Sequence, residues 1–157
     1  MAVSLMLEGA AEADKTLGKR LQGAARELLK AVGLPRREVS LVLTDDAHIR
    51  ALNRTWREED KATDVLSFPM DELAEGERRP KSGPLGDIVI SVETTASEAA
   101  KIGWERDAMA VFLLVHGFCH LLGHDHAEPD EAQAMREDED RLHAVVAPGA
   151  PRPPTPY

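Results

Sequence analysis

The chain is poor in anything that would staple it covalently or anchor it in a bilayer. Its 157 residues contain one cysteine, Cys119, so an internal disulfide is excluded and a reducing compartment fits. The longest apolar run, residues 108–115, falls far short of the ~20 residues that a membrane span needs. No basic leader precedes the short apolar stretch at 3–7, so no secretory signal is expected and a cytoplasmic protein is. Positive charge is also in short supply: 19 Lys and Arg face 28 Asp and Glu, a net of −9, which taken alone disfavours nucleic acid as a partner.

What remains is ordinary globular material. Hydrophobic content of 43% with 30% charged residues disfavours a disordered or collagen-like chain. At this length one domain is expected, with a core burying roughly 70% of the unfolded surface.

Periodicity then divides the chain. Residues 2–7 and 38–44 alternate as strands, the second with Val39, Leu41 and Leu43 on one face. Between them Leu17, Leu21, Leu28 and Val32 recur at helical spacing, and Gly33 and Pro35 supply a stop, so a parallel crossover is expected. Asp45 is placed to cap a second helix with Ile49, Leu52 and Trp56 on one face and Arg50, Arg54 and Arg57 on another. Residues 64–68 read as a strand ended by Pro69, residues 70–83 as a charged surface loop, and GDIVISV at 86–92 as the clearest strand. Helices are expected at 95–102, 105–122 and 131–146, and residues 148–157, with five prolines, as a disordered tail. The fold class is therefore α+β: residues 1–147 form one domain, a small mixed and mostly parallel sheet packed with five to six helices.

Four of the six histidines fall within residues 116–126, in the run HGFCHLLGHDH. His116 and His120 are four apart in an apolar helix, so they share a face one turn apart and can share an ion. If the helix continued, His124 would lie ~12 Å along the axis from His116, too far for one metal. Gly123 permits the chain to turn instead. Beyond that turn local geometry leaves both His124 and His126 available. The longer excursion favours His126, and H-x-x-x-H-x-x-G-x-x-H is also the spacing of the metzincin proteases, whose third histidine is a ligand. Contact with the helix C-terminal dipole would explain one such histidine, but not three.

The zincin general base, a glutamate directly after the first histidine, is absent; Gly117 stands there. Three neutral imidazoles leave a dipositive ion uncompensated and a fourth position for water, whose pKa falls towards ~7. Such a site suits an anionic substrate, with metal-activated water attacking a phosphodiester. Asp125 is either a proton acceptor beside it or a turn residue.

LNRTWR at 52–57, DKATDVLSFP at 60–69, LGDIVIS at 85–91 and the histidine run at 116–126 resemble, in this order, the signature blocks of the YbeY family of bacterial rRNA maturation factors. The resemblance implies a metal-dependent, single-strand-specific endoribonuclease acting in 16S rRNA 3′-end maturation and ribosome quality control. Its implied partners are single-stranded rRNA and the small ribosomal subunit or proteins associated with it, with no role for DNA or a membrane. The three zinc-binding histidines of the family match His116, His120 and His126, for one Zn2+ ion, and an arginine implicated in activity matches Arg57.

Arg57 has its own physical case, since a guanidinium offers a planar fork to phosphate. Two positions depart from the family pattern. Cys119 replaces a large aliphatic residue and is read as a small packing group, and His124 stands where tyrosine is frequent. Asp64 and Asp87, at strand ends, are expected to orient the metal histidines, while His48 and His143 fall in surface helical patterns. Two rival readings stand beside this one: a zinc peptide hydrolase with metzincin-like spacing, and a non-enzymatic assembly factor clamped by structural zinc.

The charge total also hides an asymmetry. Residues 1–57 carry ten basic and seven acidic side chains, residues 58–157 nine and twenty-one. A basic excess therefore accompanies the Arg50, Arg54 and Arg57 helix, and a bound ion adds two positive charges. The objection to nucleic acid lapses locally, leaving the narrower expectation of weak non-specific affinity for RNA.

Overall fold

Strict alternation in the strands sets one face of the sheet against a helical layer. In the computed structural model, which describes residues 2–154, β1 (Val3–Leu7) pairs parallel with β2 (Arg37–Thr44), placing Leu5 beside Leu41. Strand β4 (Gly83–Ser91) adds parallel to the other edge of β2, and β3 (Val65–Pro69) closes the order β1-β2-β4-β3 antiparallel to β4. The sheet is mixed and mostly parallel, as its sequence pattern predicts. Pro69 fits within β3 because β3 is an edge strand with no second ladder to feed.

The crossover from β1 to β2 runs through α1 (Lys15–Ala31), whose Leu17, Leu21 and Leu28 are buried against Val39, Leu41 and Ile88. The opposite face carries the smaller cluster Leu66, Val89 and Ile49, the last from α2 (Asp46–Arg57). Asp45 caps α2 by accepting the His48 N–H at 3.0 Å. Trp56, expected on the buried face with Ile49, is instead 68% exposed. It lies seven residues beyond Ile49, roughly 10 Å along the axis, where little of the core is left to cover it.

After β4 come α3 (Val92–Lys101), α4 (Arg106–Leu121) and α5 (Pro129–Val146). Helix α4 is apolar on every side and central, with every residue from Met109 to Cys119 buried. It stops at a reversal: Gly123 takes φ +92, and the His124 N–H bonds back to the Cys119 carbonyl at 3.1 Å.

Residues 70–83 are on the surface, but they are tethered. Arg37, only 1% exposed, forks onto Asp71 at 2.8 and 2.9 Å and donates to the carbonyls of Pro80, Gly83 and Pro84. Asp71 also holds Arg79 at 2.7 Å, and Arg79 donates to the Leu122 carbonyl at 2.9 Å. The loop thus becomes a strut behind the α4–α5 turn.

Two further expectations give way. His143 is buried, 4% exposed and edge-on to Phe112, because it falls on the stripe of α5 with Met135, Glu139 and Leu142. In the proline-rich stretch Arg152 lies over Phe112 and pairs with Glu139 and Asp140, so this part has a defined place; residues 155–157 lie outside the described ones. Among the described residues no helix is long and apolar enough to cross a membrane.

Candidate metal centre

Helix α4 delivers two imidazoles to one cavity and the turn after it delivers a third. His116 and His120 face each other one turn apart, their Nε2 atoms 3.2 Å from each other. The ring of His126 comes within 5.9 Å of His116 and 5.6 Å of His120, measured between centroids. One ligand nitrogen from each of the three lies within 4.8 Å of the others. His124 takes a different path, with Nε2 2.6 Å from Asp138 Oδ2 on α5. Helix α5 thus engages the His124 ring, while the His126 ring turns toward the other two imidazoles.

Hydrogen bonds fix which nitrogen each helical imidazole presents. His120 Nδ1 lies 2.8 Å from the His124 carbonyl, which only accepts, so Nδ1 bears the hydrogen and Nε2 keeps a lone pair. His116 Nδ1 faces Glu139 Oε2 at 2.5 Å and is the donor there, because Glu139 is held ionised: burial opposes this, but bonds from His116 and Arg152 outweigh it. Burial, helped by the neighbouring His116, lowers the His120 pKa to about 4, keeping it in the neutral form that ligates metal. The two Nε2 atoms thus face each other across 3.2 Å and the His126 ring closes on the same point, so nitrogen donors from three imidazoles converge where a cation can sit. The donor set fits a metal ion on this ground.

Glu139 is the supporting carboxylate that the sequence reading missed. It is 2% exposed, and its one signal was a glutamate inside the apolar stripe Met135, Leu142 and His143 of α5. Asp64 is engaged differently: its Oδ1 accepts the Val65 N–H at 2.7 Å, and it stands against Glu98 of α3. Asp87 lies beside Phe68 in the β3–β4 pairing, and burial raises its pKa. Asp125 accepts the His126 N–H at 2.7 Å and so shapes the turn.

Gly117 is excluded from the cavity by packing. A Cβ there would meet Ser67 Oγ at 3.0 Å and Ile88 Cγ2 at 3.1 Å, while the Gly117 carbonyl accepts a bond from Ser67 Oγ. A side chain at this position would press against Ser67, Ile88 and Val65 of the sheet and face away from the cavity. Cys119 is fully buried among apolar residues and burial pushes its thiol pKa up, which suits a packing group.

Arg57, from the last turn of α2, reaches the same cavity of about 690 Å³, together with Asn53, Asp64, Asp125 and the three histidines. Its Nη2 donates to the Ser67 carbonyl at 2.7 Å and its guanidinium lies 5.7 Å from the centre of the Phe68 ring. These contacts aim the fork while consuming one of its five N–H groups. Arg50, by contrast, is bound to Asp60.

Comparison with known proteins agrees with this geometry. The family profile described as Endoribonuclease YbeY matches residues 8–146. Curated relatives carrying that name include proteins of Rhizobium meliloti, 50% identical over 76% of this chain and 70% of the relative, and of Pelotomaculum thermopropionicum, 44% identical over 87% and 90%. A Myxococcus xanthus relative is 48% identical over 75% of this chain, which spans 40% of that protein's length. The fold resembles the solution structure of TM1509 from Thermotoga maritima, with a TM-score of 0.65 at 23% identity, covering 92% of this chain and 88% of that one. With a profile match across most of its length and relatives close to half identical, the chain belongs to the endoribonuclease YbeY family.

Proposed function

We propose that residues 1–147 form a metal-dependent endoribonuclease that cleaves single-stranded RNA in the cytoplasm, with 16S rRNA 3′-end maturation and ribosome quality control as its setting. His116, His120 and His126 hold one Zn2+ ion in this reading, and Arg57 binds the scissile phosphate. When bound, zinc supplies Lewis acidity and lowers the pKa of water. The single observation that carries the reading is convergence: three imidazoles with converging nitrogens and an arginine fork from another element line one cavity.

The side chains divide the work. Glu139 and the His124 carbonyl hold the helical imidazoles in one tautomer, so their Nε2 lone pairs point at the ion site without reorganisation. Arg57 keeps two N–H directions of its fork for a phosphoryl oxygen, with Phe68 beneath it limiting its rotamers. The small ribosomal subunit or proteins bound to it are the expected partners, since a chain of net charge −9 needs guidance to its RNA; DNA is not expected as a substrate.

The peptide-hydrolase alternative requires a base where Gly117 meets the sheet, and is not favoured. The decisive assay incubates the protein and its His120→Ala variant with precursor 16S rRNA, with and without a chelator, and maps the ends. Defined cleavage that chelator and substitution both abolish is expected. Intact RNA under every condition would leave only the structural-zinc reading.

A further inference from the structure

Beside the cavity mouth the fold leaves apolar surface uncovered, and its neighbours indicate what covers it. Trp56 is 68% exposed and Met70 54% exposed. Each directly adjoins a cavity-lining residue, Arg57 and Pro69 respectively. On α2, Trp56 stands between Asn53 and Arg57, both of which face the cavity, and i,i+3 neighbours on a helix lie side by side. The chain then leaves α2 through Glu58 at φ +58, a left-handed turn that begins the next segment without covering the indole. Arg54, on the same last turn, is exposed, and Arg57 lies over Phe68.

We infer that Trp56 forms a stacking platform for an unpaired nucleobase next to the phosphate held at the cavity. This deepens the proposed RNA-cleaving function and rests on it. The cations Arg54 and Arg57 favour a polyanionic ligand, and in a nucleic acid the planar apolar group attached to each phosphate unit is its base. A free base offers a π-face to an indole, whereas a base within a duplex is already stacked on both sides. The platform thus gives a physical source for single-strand preference: Arg57 takes the backbone and Trp56 takes the base beside it. Met70 extends the apolar rim from the β3 side.

The experiment reads the indole directly. Trp104, packed beside Met109 and Leu113, is first replaced by Phe so that Trp56 is the one remaining tryptophan. Its fluorescence is then titrated with a short 2′-O-methyl single strand that resists cleavage, with the same strand lacking one base, and with its duplex. Quenching by the single strand is expected, with weaker binding of the duplex and of at least one abasic strand. Trp56→Ala should raise KM about 5- to 100-fold, the range of one lost stacking contact, with kcat nearly unchanged, and Trp56→Phe should restore most of the loss. Equal affinity for intact and abasic strands, or an unchanged KM in Trp56→Ala, would overturn the platform. Cleavage by the wild type without any quenching rejects the platform and leaves the nuclease intact; quenching without cleavage supports the platform and counts against the nuclease.

Discussion

The turn that follows α4 has two sides, and they use the same residue types in opposite ways. On the reverse side every polar group named is closed on a partner: Arg37 on Asp71 and three carbonyls, Arg79 on Asp71 and Leu122, His124 on Asp138. The carboxylates there are stabilised as ions. Hydrogen bonds from Arg37 hold Asp71 below the usual range, and for Asp138 bonds from His124 and Arg141 outweigh the opposing effect of burial. At His120 in the cavity, and at Glu98 behind the lining residue Asp64, the shifts run the unfavourable way. Burial lowers His120 to about 4, and burial with the adjacent Asp64 pushes Glu98 up to about 8. Satisfied polar groups build the support, while strained electrostatics gather where a ligand is to be bound.

Substitutions on the two sides should therefore separate stability from activity. The largest effect is expected for Arg37→Met, which leaves Asp71 buried with half its partners removed. Urea denaturation should show a loss of about 3–5 kcal/mol, the cost of breaking a buried ion pair. On the cavity side Arg57→Ala should lower kcat about 100- to 1,000-fold, as for loss of one transition-state donor, with the thermal midpoint nearly unchanged. A large drop in melting temperature for Arg57→Ala, or none for Arg37→Met, would erase the distinction between the sides.

Much of this contrast was legible in the sequence, and the part that was not has a common cause. Alternation in 38–44 and 86–92 and the helical stripe from Leu17 to Val32 are local signals, and the sheet follows them. The convergence of His116, His120 and His126 was readable because four-residue spacing and Gly123 fix geometry within a few residues. Arg37, Glu139 and His143 were not readable. Their partners lie 13 to 47 residues away for the two former, and His143 meets Phe112 across a helix packing that periodicity does not encode. Trp56 failed for the converse reason: its spacing is right for burial, but the sheet beneath it runs out.

Smaller effects sharpen the comparison. Arg79→Ala removes the charged donor on the Leu122 carbonyl and should cost about 1.5–3 kcal/mol, with weaker zinc binding because the turn carrying His126 loses its support. Glu98 tests the strained side through pH. Its proton is held more tightly in the folded chain, so it has no effect below about pH 4.5; stability falls as pH rises from 4.5 to about 8, and the loss is complete above that. Glu98→Gln should flatten this decline in thermal melts recorded from pH 4 to 9; a steeper decline would reverse the sign.

Zinc binding tests the division between the two sides most directly. Competition with a chromophoric chelator should give one zinc per chain for the wild type and for His124→Ala, and a loss of at least ~100-fold in affinity for His126→Ala, since removing even a supporting group around a ligand costs 10- to 100-fold. Zinc lost in His124→Ala and kept in His126→Ala would place the metal on the wrong histidine and contradict the account.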